Sequence, residues 1–389
     1  MPANGGLVIT EFLTMRPAFS STKHAAAFAL LLLGIFLLPI VLRGRLLPPT
    51  RENYLQQGWD SFGDYPYLYR QIFEETNTID IAFVGSSRIW LGIDAVYVQQ
   101  KLSEQLGRPA VVRTIAWGWG GYDKFYFAMR DLLEHRHVRL LVFNDEGQSI
   151  NLMDPLARRW FRLGDNVSDL AGFPLRLQLD YYFSAIQGMP RNLLDNVRPN
   201  LRCELSATDI AQLEQTYFCT NPASCLGSLG LKQGFSQTPI FQEGHPPFEL
   251  FTPPHAAEAR PEDAVIYSAA TKNQFQFSGP KMLASQTHFA QKFAGLAVKK
   301  NARIVLLHVP NLTDADQSAI REREFWPDTL RADVTLLGIP PKKLFAGLND
   351  AEIRKLFAEQ YHLNQNGQEY FTRLITPALL QLYESSTHH

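Results

Sequence analysis

The stretch "IAFVGSSRIWLGID", residues 81–94, decides how this chain is read. An apolar run stops at Gly85, and two hydroxyls and an arginine follow at Ser86, Ser87 and Arg88. A short apolar run bounded by a turn signal predicts a strand covered on both faces, as in a parallel sheet. The segment after it, "IDAVYVQQKLSEQL" (93–106), predicts an amphipathic helix with Asp94 near its N-terminus. The same rhythm continues outward. "PAVVRTIAW" (109–117) and "VRLLVFND" (138–145) read as strands, and "YDKFYFAMRDLLEHR" (122–136) reads as the helix between them. Strand, helix, strand, helix, strand with apolar strands predicts an α/β fold with helices on both faces of the sheet.

The rhythm fails between about 151 and 275, where Pro, aromatics and short irregular stretches dominate. A passage of that length inside one domain reads as a lid or a functional insertion. Among its aromatics, Trp160, Phe161, Tyr181, Tyr182 and Phe183 read as core packing rather than as a sugar-stacking platform. The pattern then resumes with a helix at 282–301, a strand at 302–310, a short strand at 333–341, and helices at 348–357 and 366–384. The insertion is therefore bracketed by one domain.

The chain has 389 residues, 46% of them hydrophobic and 19% charged, with a formal net charge of -1. No dense Lys/Arg block is present, so nothing favours nucleic acid as a partner. Cys203, Cys219 and Cys225 form neither a CxxC nor a zinc-type cluster, and no metal or cofactor is expected. Cys219 and Cys225 are the nearest pair if a disulfide forms; three separate thiols are the alternative. Ala25–Leu42 carries no charge and has no polar face over 18 residues, the short end of a bilayer-spanning helix. No small-residue cleavage pattern follows it, which predicts an uncleaved anchor. Arg16 and Lys23 before it and Arg43, Arg45 and Arg51 after it give no orientation. The expected division is a tail at 1–24, the anchor at 25–42, a linker at 43–78 and a catalytic domain at 79–389.

In open parallel sheets, ligands bind outside the carboxyl ends of the strands. Here the first three strands end in Gly85-Ser86-Ser87, in a run with Gly118, Gly120 and Gly121, and in Asn144-Asp145. A hydroxyl, a glycine N–H and an amide meeting there would be a nucleophile and two oxyanion donors. The base expected to serve them is His362, with Glu359 three residues before it to orient the imidazole. Arg88, beside the nucleophile, reads as a solvated arginine rather than as an anion-binding group.

These residues resemble the SGNH (GDSL-type) hydrolase superfamily. Within it they are similar to the membrane-anchored branch that includes the alginate O-acetylation proteins and the D-alanyl transfer protein of teichoic acid modification. The first block is Gly85-Ser86-Ser87, where the branch often has GSS for GDS, and Ser87 matches the nucleophile. "AWGWGGYD" matches the second block loosely, with Gly120 as the oxyanion glycine. Val142-Phe143-Asn144-Asp145 matches the third without its glycine, and Asn144 keeps the donor. His362-Leu363-Asn364 with Gly367 matches the last, with Glu359 where the family has Asp. The resemblance covers roughly 79–150 and 280–380.

The resemblance implies a flavodoxin-like three-layer α/β/α fold. It also implies a serine acyl-enzyme on Ser87 and transfer of an acyl group, acetyl first, to an extracytoplasmic polysaccharide. The implied donor-side partner is a membrane-bound O-acyltransferase of the MBOAT type. The implied location is the bacterial inner membrane, single-pass, with the domain on the periplasmic side. A carbohydrate esterase would use the same residues. A non-catalytic SGNH scaffold in a polysaccharide secretion or modification complex is the third expectation, motivated by the missing glycine and by Glu359.

Overall fold

The computed structural model describes residues 19–42, 68–116, 121–144, 174–176, 178–183, 186, 264–266, 275–276, 284–316, 320–321 and 334–387. Strand β1 (Ile79–Gly85) is buried along its whole length. It lies between β2 (Val112–Ala116) and β3 (Val138–Asn144), parallel to both. The sheet continues through β6 (Arg303–Leu307) and β8 (Val334–Gly338), also parallel, and ends in antiparallel β4 (Val265–Ile266). The order β2-β1-β3-β6-β8-β4 is compatible with a flavodoxin-like doubly wound sheet carrying an antiparallel edge. Phe275–Gln276 (β5) and Ile320–Arg321 (β7) pair separately. Neither β4 nor this ribbon has a sequence signal, because two residues carry no period.

Alternation along β1 explains the layers. Ala82 and Val84 pack on one face with α4 (Tyr122–His135) and α5 (Ala284–Lys299), and Ile79 at the start of the strand joins the same core. Ile81 and Phe83 pack on the other with α2 (Ser87–Gly92), α3 (Ala95–Leu106) and α6 (Gln365–Thr387). Leu68 and Ile72 join the first of these cores, so the end of the expected linker packs as part of the domain. Tyr181 from the insertion is also core, 2% exposed, with its ring 5.7 Å from that of Phe289. Phe183 is 44% exposed and Tyr182 is partly buried, while Trp160 and Phe161 lie outside the described residues. Tyr181 thus packs in the core, and Phe183 packs instead edge-on against the Phe36 ring, 5.6 Å away.

The expected anchor falls within α1 (Thr22–Leu42). Among the described residues, no helix is long and apolar enough to cross a membrane. Leu30, Leu31 and Leu33 are more than half exposed, while further along α1 Phe36 O accepts from the Tyr182 hydroxyl. The three cysteines lie outside the described residues.

Two buried carboxylates brace the domain in opposite senses. At the start of β1, burial pushes the Asp80 carboxyl up, but Arg108, the Tyr383 hydroxyl and the Val111 N–H more than offset it and hold it below its ordinary value. Asp94 caps α3 through Val96 N–H (3.0 Å) and Tyr97 N–H (2.9 Å). Burial raises its carboxyl to about 6, and Glu369 adds to the rise. A group whose folded value is raised favours the fold below its unfolded value, near 4. That contribution is lost as pH rises through about 6. Asp94→Asn keeps the capping oxygen and carries no charge. It is expected to be ~2–3 kcal/mol more stable than the parent at pH 8, with the gap closing toward pH 4. Urea unfolding at the two pH values checks this.

Candidate active site

Gly85 pairs with Ala116, Val84 with Phe143, and Asn144 with Leu307, so β1, β2, β3 and β6 all end at one edge. The chain turns at that edge directly from β1 into α2, and the two serines divide the work. Ser86 is the N-cap, 1% exposed, and its hydroxyl accepts from Arg88 N–H at 3.2 Å. Ser87, the first helical residue, has its Oγ 2.7 Å from His362 Nε2. The other ring nitrogen of His362, Nδ1, meets Glu359 Oε1. Serine, imidazole and carboxylate thus form an unbroken chain.

A short loop holds the acid and the base together. Phe357 and Leu363 form an antiparallel bridge, and Ala358 N–H donates to His362 O at 2.9 Å. Between them, Glu359 Oε2 accepts from Tyr361 N–H at 3.0 Å, which leaves Oε1 facing the imidazole. The extra methylene of a glutamate is absorbed within this turn. The side chains of His362 and Glu359 are 16% and 31% exposed, so the array is open to solvent.

The loop is fixed from behind by Asn364 and Gly367. Asn364 Nδ2 donates to Lys355 O at 2.8 Å and to Phe357 O at 3.3 Å, and its Oδ1 accepts from Gly367 N–H at 3.1 Å. A Cβ on Gly367 would lie 2.0 Å from Leu356 O, so only glycine allows this approach. Helix α6 begins here and also grips the side of the array that carries Ser87. Gln368 Nε2 donates to Trp90 O and Ile93 O, each at 3.2 Å, and Thr372 Oγ1 accepts from Asp94 N–H at 2.9 Å. Sequence reading missed Gln368 and Thr372. Their partners lie 278, 275 and 278 residues away, and no local pattern carries such a pairing.

Arg88 is not the solvated arginine expected. Its guanidinium is held by Val309 O, just past the end of β6. Gly120 and Asp145 lie outside the described residues. Asn144 is placed by its backbone, as the last residue of β3, at the same sheet edge as Gly85. Gly121 is the N-cap of α4, and within the first turn Lys124 N–H donates to Asp123 Oδ1 at 2.9 Å. Comparison of the chain with models of known protein families, with curated proteins and with solved structures returns no match.

Proposed function

We propose that the chain is a serine-dependent O-acyltransferase of SGNH type, anchored by α1, that modifies an extracytoplasmic polysaccharide. The observation that carries the reading is the Ser87–His362–Glu359 array at the carboxyl edge of a parallel sheet. The order of the sequence blocks supports the family. The long uncharged run from Ala25 to Leu42, most of it described as exposed helix, supports the anchor.

In this mechanism Ser87 Oγ attacks the acyl carbonyl while its proton passes to His362 Nε2. Glu359 holds the ring by Nδ1 and stabilises the imidazolium. The oxyanion is taken by the Ser87 and Gly120 N–H groups with the Asn144 amide. Collapse breaks the bond to the leaving group, which receives the proton from His362 and leaves acyl-Ser87. A sugar hydroxyl then gives its proton to His362 and attacks the ester, which regenerates Ser87 and releases the acylated sugar. The donor crosses the membrane through an MBOAT-type partner, and the domain works on the extracytoplasmic side of the bacterial inner membrane.

The test is incubation of the purified full chain with an aryl acetate and an oligosaccharide, followed by mass spectrometry of both. Acetyl on Ser87 that moves to the sugar supports transfer. Hydrolysis alone at every sugar concentration sinks transfer in favour of the esterase. A chain that forms no acetyl-serine and takes no fluorophosphonate leaves the non-catalytic scaffold.

A further inference from the structure

The segment that leaves β6, His308–Asp316, touches both halves of the triad. On the nucleophile side, Val309 O accepts from the Arg88 guanidinium. Gly92, at the end of the same short helix, lies so close that an added Cβ would sit 2.7 Å from Val309 Cγ1. On the base side, Leu312 N–H donates to Gln360 O at 2.9 Å, inside the loop that carries Glu359 and His362. The segment is itself locked by one buried carboxylate. Asp314 Oδ2 meets His308 Nε2 at 3.0 Å and Asn311 N–H at 2.9 Å. His308 and Asp314 are 9% and 5% exposed.

This polar burial is expensive for a fold to keep. Burial pushes the Asp314 carboxyl up, but His308, Asn311 N–H and the charge of Arg88 outweigh it and keep it ionised. Arg88 Nε is buried with no hydrogen-bond partner, an arrangement that costs stability. Well-packed apolar side chains in place of a buried ionic group are often as stable or more so. A buried ionic group beside a reacting pair serves geometry better than stability, because a displacement of about 1 Å costs about a hundredfold in rate.

Resting on the acyltransferase reading, we propose that His308–Asp316 is a strap that sets the Ser87–His362 distance, with Asp314 as its positioning residue. Arg88 acts through the strap: it ties the nucleophile helix to Val309. Neither residue touches the reacting atoms.

The experiment is fluorophosphonate labelling of the full chain, with the rate constant and the final labelled fraction read separately. A purely structural residue changes the folded fraction, and so the amplitude. A positioning residue changes the rate constant. Asp314→Asn is expected to label ~10–100-fold more slowly at full amplitude. Exposed Asp316→Asn on the same turn is expected to label at the parent rate. Adding Arg88→Met to Asp314→Asn should slow labelling little further, because both act through one strap. Should Asp314→Asn fail to fold, Leu312→Pro removes the N–H given to Gln360 at a position where the short helix begins and leaves the buried charges untouched. It too should label slowly at full amplitude. A parent-like rate constant in the folded variants, a loss of amplitude alone, or fully multiplicative effects of Arg88→Met and Asp314→Asn would each overturn the strap. A parent chain that takes no label removes the nucleophile reading, and the strap's role falls with it.

Discussion

Ser87→Ala is expected to lose acyl-enzyme formation and polymer modification together, by roughly three to six orders of magnitude, with the fold intact. The physical case rests on the difference between two adjacent hydroxyls. Ser86 Oγ is committed to the backbone, accepting from Arg88 N–H at the start of α2, and is buried. Ser87 Oγ faces the imidazole, 2.7 Å from Nε2, and is partly exposed. Ser86→Ala should therefore cost a helix cap, about 1 kcal/mol, and leave most of the turnover. Mass spectrometry of the acyl-enzyme, with circular dichroism as the check on folding, separates the two. A dead Ser86→Ala beside a working Ser87→Ala would move the nucleophile by one residue.

How far this site was legible depends on the range of each contact. Strand β1 announced itself because burial on both faces demands an unbroken apolar run, and Gly85 marked its end. His362 and Glu359 were legible as a pair because their contact is local, three residues apart in one turn. Helix α2 was not, because "SRIWLG" is too short to show a period, and its apolar side chains suit a buried strand exit equally well. The Arg88–Val309 and Gln368 bonds were not, because they join segments more than two hundred residues apart through backbone carbonyls that any residue possesses. Arg88 was misread for the same reason: nothing near it in sequence indicates that Val309 O comes within reach.

Glu359→Gln is the most demanding test of the base. The carboxylate has two assigned oxygens: Oε2 accepts from Tyr361 N–H and Oε1 faces His362 Nδ1. A glutamine keeps its oxygen on Tyr361 N–H, since only an acceptor satisfies that donor. Its NH2 group then faces Nδ1 and forces that nitrogen to accept. The imidazole proton moves to Nε2, and the ring can no longer take the proton of Ser87. In a related triad the equivalent exchange costs about four orders of magnitude in rate while the geometry stays in place. Glu359→Gln should do the same here, with full-length, folded protein that labels with fluorophosphonate thousands of times more slowly. Glu359→Asp keeps the charge and the acceptor pair on a shorter stem, and should stay active because the bridge between Phe357 and Leu363 still sets the turn. If Glu359→Gln labels near the parent rate, the carboxylate does not choose the tautomer. The site would then be a Ser-His dyad, with the ring oriented by Asp145 or by a backbone carbonyl.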